Sequence, residues 1–125
     1  MLGVSMKRKH HELRAWQEAM GLVKDVYRIT SAFPRDEVYA LTSQMRRAAV
    51  SIPSNIAEGA ARTTDKEFLQ FLSISRGSLS ELETQLTIAI DLGYMQPSDE
   101  ISNKIDAIFG LLGGLMKSLR ARSIK

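Results

Sequence analysis

The sequence predicts an all-α fold, an up-down-up-down four-helix bundle. Four segments repeat apolar residues every three or four positions, no segment alternates as a half-buried strand does, and the connections between segments are short. Length and composition agree, since 125 residues, 44% of them hydrophobic, suit one domain with a real core.

The first helix is expected from Leu13 to Ser31. Leu13, Trp16, Met20, Val23 and Tyr27 form one stripe, and Ala15, Ala19, Leu22, Val26 and Ile29 form a second beside it. Together they make a face wider than a coiled-coil seam requires. Phe33-Pro34 ends the segment, because the residue before proline is pushed out of the α region.

The second helix is expected to open near Asp36 or Glu37, whose charges suit a helix N-terminus, and to close at Gly59. Leu41, Met45, Ala48, Ile52 and Ile56 keep helical spacing, yet Pro53 sits among them. An internal proline costs about 3 kcal/mol. Two readings follow: one helix kinked at Pro53 and closely approached by a neighbour, or a break at which Ser51 caps a second short helix.

The third helix starts on the capping box Thr64-Asp65-Lys66-Glu67 and stops at Gly93. Its apolar stripe is Phe68, Leu72, Ser75, Leu79, Leu82, Leu86 and Ala89. The fourth begins after Pro97 with Ser98 as its cap and repeats Ile101, Ile105, Ile108, Leu112, Leu115 and Leu119. Gly110, Gly113 and Gly114 weaken that helix and permit close approach by another. With the wide first helix and the exposed candidates Phe109 and Met116, they suggest more apolar surface than one bundle hides, hence self-association.

A second stripe on the third helix, Phe71, Ile74, Ser78, Glu81, Gln85, Ile88 and Leu92, is apolar at its ends and polar in the middle. It reads either as a solvated flank or as a polar layer between helices, made of Gln44, Arg47, Ser78, Glu81 and Gln85. Antiparallel counting about the turn sets Arg47 opposite Ser78 and Gln44 opposite Glu81, with Arg47 the natural partner of Glu81.

The net charge is +3, and the positive charge lies at the chain ends. Residues 1–14 set Lys7, Arg8, Lys9 and Arg14 against Glu12, and residues 117–125 carry Lys117, Arg120, Arg122 and Lys125. The expected organisation is a basic tail over 1–12, the bundle over 13–121 and a second basic tail over 122–125. In this topology both ends and the 2–3 loop, with Arg62 and Lys66, meet at one end of the bundle, while residues 91–106 make the other end acidic.

Catalytic constellations are absent from the sequence. There is no cysteine, no Glu-x-x-His pair and no phosphate-binding loop. The only histidines, His10 and His11, fall in the expected tail, and the serines have no histidine to activate them. Glu81 and Glu83 point to different helix faces. The chain therefore reads as non-enzymatic, without cofactor or metal. The longest apolar run, Ile108 to Met116, is too short to span a bilayer, and no apolar core follows the N-terminal basic cluster, so a cytoplasmic protein without membrane contact is expected.

Several strings share one pattern: Leu13-x-x-Trp16, Phe33-Pro34, Leu41-Thr42-Ser43-Gln44-Met45-Arg46-Arg47-Ala48, Ser51-Ile52-Pro53-Ser54-Asn55-Ile56-Ala57-Glu58-Gly59, Phe68-Leu69-x-Phe71-Leu72, Arg76-Gly77-Ser78-Leu79-x-Glu81-Leu82-x-Thr84-Gln85-Leu86 and Leu92-Gly93-Tyr94. In these the chain resembles the bacterial four-helix bundle family whose first members were encoded by intervening sequences within 23S ribosomal RNA genes. The resemblance runs from about Leu13 to Leu119. It implies a ring-shaped homopentamer and supplies no catalytic residues. A similar branch, the accessory protein of diversity-generating retroelements, forms a basic pentameric barrel that binds nucleic acid and a reverse transcriptase.

Two functions are expected. One is electrostatic binding of structured RNA or DNA through the basic end, with Lys7, Arg8, Lys9, Arg14, Arg62, Lys66, Lys117, Arg120 and Arg122 as candidate contacts. The alternative is an assembly scaffold or accessory protein for a protein partner such as a reverse transcriptase.

Overall fold

The computed structural model describes residues 8–123. Helix α1 spans Arg14–Thr30, α2 Leu41–Ala60, α3 Asp65–Asp91 and α4 Asp99–Ser123. Short 3-10 turns cover Lys9–Glu12 and Arg35–Glu37, and no strand occurs among the described residues. Helix α1 packs on α2 and α4, and α3 packs on the same two, while the diagonal pairs do not meet. That is the square section of an up-down-up-down bundle.

The core is closed by Leu22, Met45, Ile52, Ile56, Leu72, Leu79, Leu82, Ile108 and Leu112, all fully buried. Of the two stripes on α1, that of Ala15, Ala19, Leu22 and Val26 is buried, whereas Met20 and Tyr27 from the other are 37% and 44% exposed. The small residues face inward and let α1 lie close to its neighbours.

Three of the expected helix ends form as the residues dictate. The Thr64 hydroxyl accepts the Glu67 amide and in turn donates to the Glu67 carboxylate. Helix α3 closes in a Schellman turn: Gly93 has φ +80°, its amide donates to Ile90, and the Tyr94 amide donates to Ala89. The Ser98 hydroxyl accepts the Ile101 amide at the start of α4.

The start of α2 differs. The acidic pair Asp36 and Glu37 lies in a 3-10 turn, and α2 opens later, at Leu41. The cap position, Ala40, has no side-chain acceptor, and the Glu37 carboxylate takes the Leu41 amide from outside the helix at 3.2 Å. Tyr94 donates to the other oxygen of Glu37 at 2.7 Å, tying this loop to the α3–α4 turn.

Helix α2 runs unbroken through Pro53, the single-helix reading. Around the proline, α2 and α3 are joined by small polar groups. Ser75 is fully buried and donates to the Ile52 carbonyl at 2.9 Å. The Ser51 and Ser78 hydroxyls lie 2.9 Å apart, and the Asn55 amide donates to both the Ser51 hydroxyl and its carbonyl. One turn further on, a β-carbon at Gly59 would stand 2.7 Å from the Phe71 β-carbon, so only glycine admits this approach.

Three expectations need correction. The α2–α3 register is displaced by about one turn, with Ser51 rather than Arg47 meeting Ser78. Each side chain leans toward its own helix N-terminus, so contacts in an antiparallel pair join higher-numbered residues than backbone counting suggests. A β-carbon at any of the α4 glycines would meet nothing within 4 Å among the described residues, so no described helix of this chain makes the close approach they permit. Met116 is buried and Phe109 half-buried, and exposed apolar surface lies on α1, α2 and α3 instead.

Candidate nucleic-acid interface

The end of the bundle that holds the α2–α3 turn gathers the start of α1 and the end of α4. Arg122 on α4 grips Asp65 at the start of α3 through two bonds of 3.1 and 3.0 Å. The N-terminal 3-10 turn packs on α1 and α2, and the Lys9 ammonium sits 5.6 Å over the Phe68 ring of α3. His10 and His11 pack edge-on to Trp16. The two tails drawn from the sequence are therefore shorter than expected: Lys9–Glu12 is an ordered turn, and α4 continues through Ser123, past the boundary at 121.

The candidate cations divide by what they already hold. Arg62 pairs with Glu58 at 2.9 Å and stacks its guanidinium 4.8 Å over Phe71. Arg122 and Lys9 are engaged as described, and Arg8 is exposed at the head of the turn. Lys7 lies outside the described residues. Arg14, Lys66, Lys117 and Arg120 are exposed and make no hydrogen bond or ion pair among the described residues. Of the carboxylates at this end, Glu58 and Asp65 already hold Arg62 and Arg122, Glu67 takes the Thr64 hydroxyl, and Glu12 is exposed in the N-terminal turn. Four free cations from three helices thus face solvent at one end.

The polar stripe on α3 is part solvated flank and part layer. Gln44, Arg47, Ser51, Ser78 and Glu81 line an open groove between α2 and α3. Arg47 and Glu81 share it without forming an ion pair, and both remain exposed. Gln85 is the buried member, 5% exposed, and its side-chain oxygen has no partner among the described residues, as is true of the Thr42 hydroxyl. The bridge that the sequence assigns to Arg47 and Glu81 is made by Ser51 and Ser78.

One charged site escaped the sequence. Asp25, on α1, is 8% exposed and held by Lys104 of α4 at 2.6 Å and Arg28 at 2.8 Å. Burial alone would raise its pKa, but the hydrogen bonds and charges of Lys104 and Arg28 outweigh burial and hold it below the ordinary aspartate value. The bond to Asp25 likewise raises Lys104. The only local hint is Arg28 three residues on, because Lys104 is distant in sequence.

Among the described residues, no three His, Cys, Asp or Glu side chains cluster as a metal site would require, and no helix is long and apolar enough to cross a membrane. A search of curated proteins returned no match. The model of the 23S rRNA-intervening sequence protein family matches residues 11–114, from the docked N-terminal turn into the last helix. With a match over most of its length and four helices in the structure, the chain belongs to the 23S rRNA-intervening sequence protein family.

Proposed function

We propose that the protein is a non-enzymatic, self-assembling cytoplasmic bundle that binds nucleic acid by charge through its basic end. One observation carries the reading: Arg14, Lys66, Lys117 and Arg120 stand exposed and unpaired among the described residues at the end where Glu58 and Asp65 are already neutralised. Assembly about an axis along the bundle would repeat this end around a rim and multiply its field. No aromatic ring lies free beside these cations, since Phe68 and Phe71 are covered by Lys9 and Arg62. Binding is therefore to backbone phosphates, tolerant of sequence and steeply weakened by salt.

The test is a salt series with labelled RNA and DNA, structured and unstructured. Combining Lys66→Ala, Lys117→Ala and Arg120→Ala should weaken binding at least tenfold and flatten its salt dependence, because duplex binding loses about 0.9 log units per log unit of salt for each phosphate neutralised. Lys24→Ala, on the flank of α1, should leave both unchanged. Equal affinity of the triple variant and the wild type would overturn the proposal.

A further inference from the structure

A cleft of about 560 Å³ opens between the last turn of α1 and the first half of α2. Its volume falls in the range of about 300–1,000 Å³ typical of small-molecule sites. It lies away from the basic end, because α1 finishes and α2 starts at the opposite end of the bundle. Two arginines, two tyrosines, two valines and three residues with aliphatic hydroxyls line it, and no aspartate or glutamate does.

Arg46 is held there by neutral partners alone. Its Nε donates to the Thr30 hydroxyl at 2.9 Å, and Thr30 in turn donates to the Val26 carbonyl. The guanidinium lies 4.6 Å over the Tyr27 ring. These contacts fix the group and leave its two terminal nitrogens without a hydrogen bond or a carboxylate among the described residues. Arg47, next in the chain, is exposed and likewise forms no ion pair among them. A guanidinium held only at Nε presents its other donors as a planar fork, the shape that recognises a phosphate.

The start of α2 adds donors of the same kind. The helix has no side-chain cap, and the Glu37 carboxylate accepts the Leu41 amide only. The amides of Thr42 and Ser43, two residues of the cleft lining, have no acceptor among the described residues. Thr42 is 4% exposed, and its hydroxyl is unpartnered among them as well. A buried hydroxyl left open in the wall of a cleft points to a group supplied from outside the chain. Glu37 lies outside the lining, and its second oxygen is taken by Tyr94. Beside the arginines stands Tyr39, 97% exposed and covered by no cation among the described residues. A bare aromatic ring next to a phosphate-binding group is a stacking platform for a base.

We infer that this cleft is a nucleotide site, which takes the phosphate of a nucleoside monophosphate on Arg46 and Arg47 and its base on Tyr39. Inorganic phosphate would use the arginines alone. A base also covers Val38 and Val50, which are 45% and 40% exposed on the same lining. A free nucleotide and the phosphorylated end of an RNA strand offer this same chemistry. The site is separate from the basic end, so it does not depend on Lys66, Lys117 or Arg120.

Titration calorimetry on the full chain tests it, with adenosine monophosphate, adenosine and inorganic phosphate as probes. Adenosine monophosphate should bind about tenfold or more tighter than either of the others, because each lacks one half of the contact. It should also shift the amide resonances of Thr42 and Ser43. Arg47→Gln changes an exposed, unpaired side chain, so helix content by circular dichroism should hold while nucleotide affinity falls about tenfold or more. Tyr39→Ala should weaken the nucleotide and leave inorganic phosphate unchanged. The Lys66→Ala, Lys117→Ala, Arg120→Ala variant should bind the nucleotide as the wild type does. An RNA oligomer with and without a terminal phosphate separates the two sources. Tighter binding that needs both that phosphate and Arg47 assigns the site to a strand end, and equal binding assigns it to the free nucleotide. If neither adenosine monophosphate nor the phosphorylated oligomer binds through Arg47, the site is overturned and binding at the basic end still stands. Inorganic phosphate bound as tightly as the nucleotide would overturn the role of Tyr39 and the nucleoside with it. Nucleotide binding lost in the triple variant would belong to the basic end and overturn the cleft.

Discussion

A β-carbon at Gly59 would press within 2.9 Å of the Phe68 ring as well as on the Phe71 β-carbon. Overpacking of this kind costs about 1–3 kcal/mol, more than the roughly 1 kcal/mol that alanine returns to a helix. Gly59→Ala should therefore lower the urea midpoint. Gly113→Ala, with nothing within 4 Å, should raise stability by about 0.5–1 kcal/mol. Both glycines sit in helices in the sequence, and only the neighbours distinguish them. Asp25 makes the same point through charge. Its pKa is depressed in the folded state, so its contribution is complete above the unfolded value of about 4 and drains as pH falls through the lower folded value. The gap in urea midpoint between wild type and Asp25→Asn should be widest at pH 7 and narrow below about pH 4. Periodicity alone would put a charge on the wet side of α1, and the Lys104 that pays for its burial is unknowable from local sequence.

Helix ends are the most legible features at the next scale. Thr64, Gly93 and Ser98 act through groups within five residues of themselves, which is why their roles can be read directly. The start of α2 could not be read so well, because its acceptor, Glu37, reaches Leu41 from a separate turn. The contact between α2 and α3 is legible in kind but not in register. Pro53 announces a closely approached helix, but Gly59, read in the sequence as the stop of α2, lies inside it, and the approach is fixed by the buried Ser75 hydroxyl and the Ser51–Ser78 pair. Ser75→Ala should cost about 1 kcal/mol, the net worth of a typical protein hydrogen bond. Thr84→Ala, which removes an exposed bond within α3, should move the urea midpoint far less.

At the scale of the whole molecule, the bundle follows from four amphipathic segments and short turns, and the basic end follows from that topology. The sequence placed the surplus apolar surface on α1 and α4, whereas the folded chain exposes it on α1, α2 and α3. Which side of an amphipathic stripe faces inward depends on how tightly neighbours approach, and the alanines of α1 win that position over Met20 and Tyr27. The four seams are also unequal. The seam between α2 and α3, adjacent in sequence, is the most extensive of the four, and that between α1 and α4 is the least. Among the described residues a single ion pair, Asp25 with Lys104, spans the latter. Amide exchange in dilute denaturant should then be graded: protons of α4 should exchange through partial opening, while those of α2 and α3 persist until global unfolding. Refolding should begin at the α2–α3 hairpin, whose contacts close the shorter loop, and docking of α4 should be the last step.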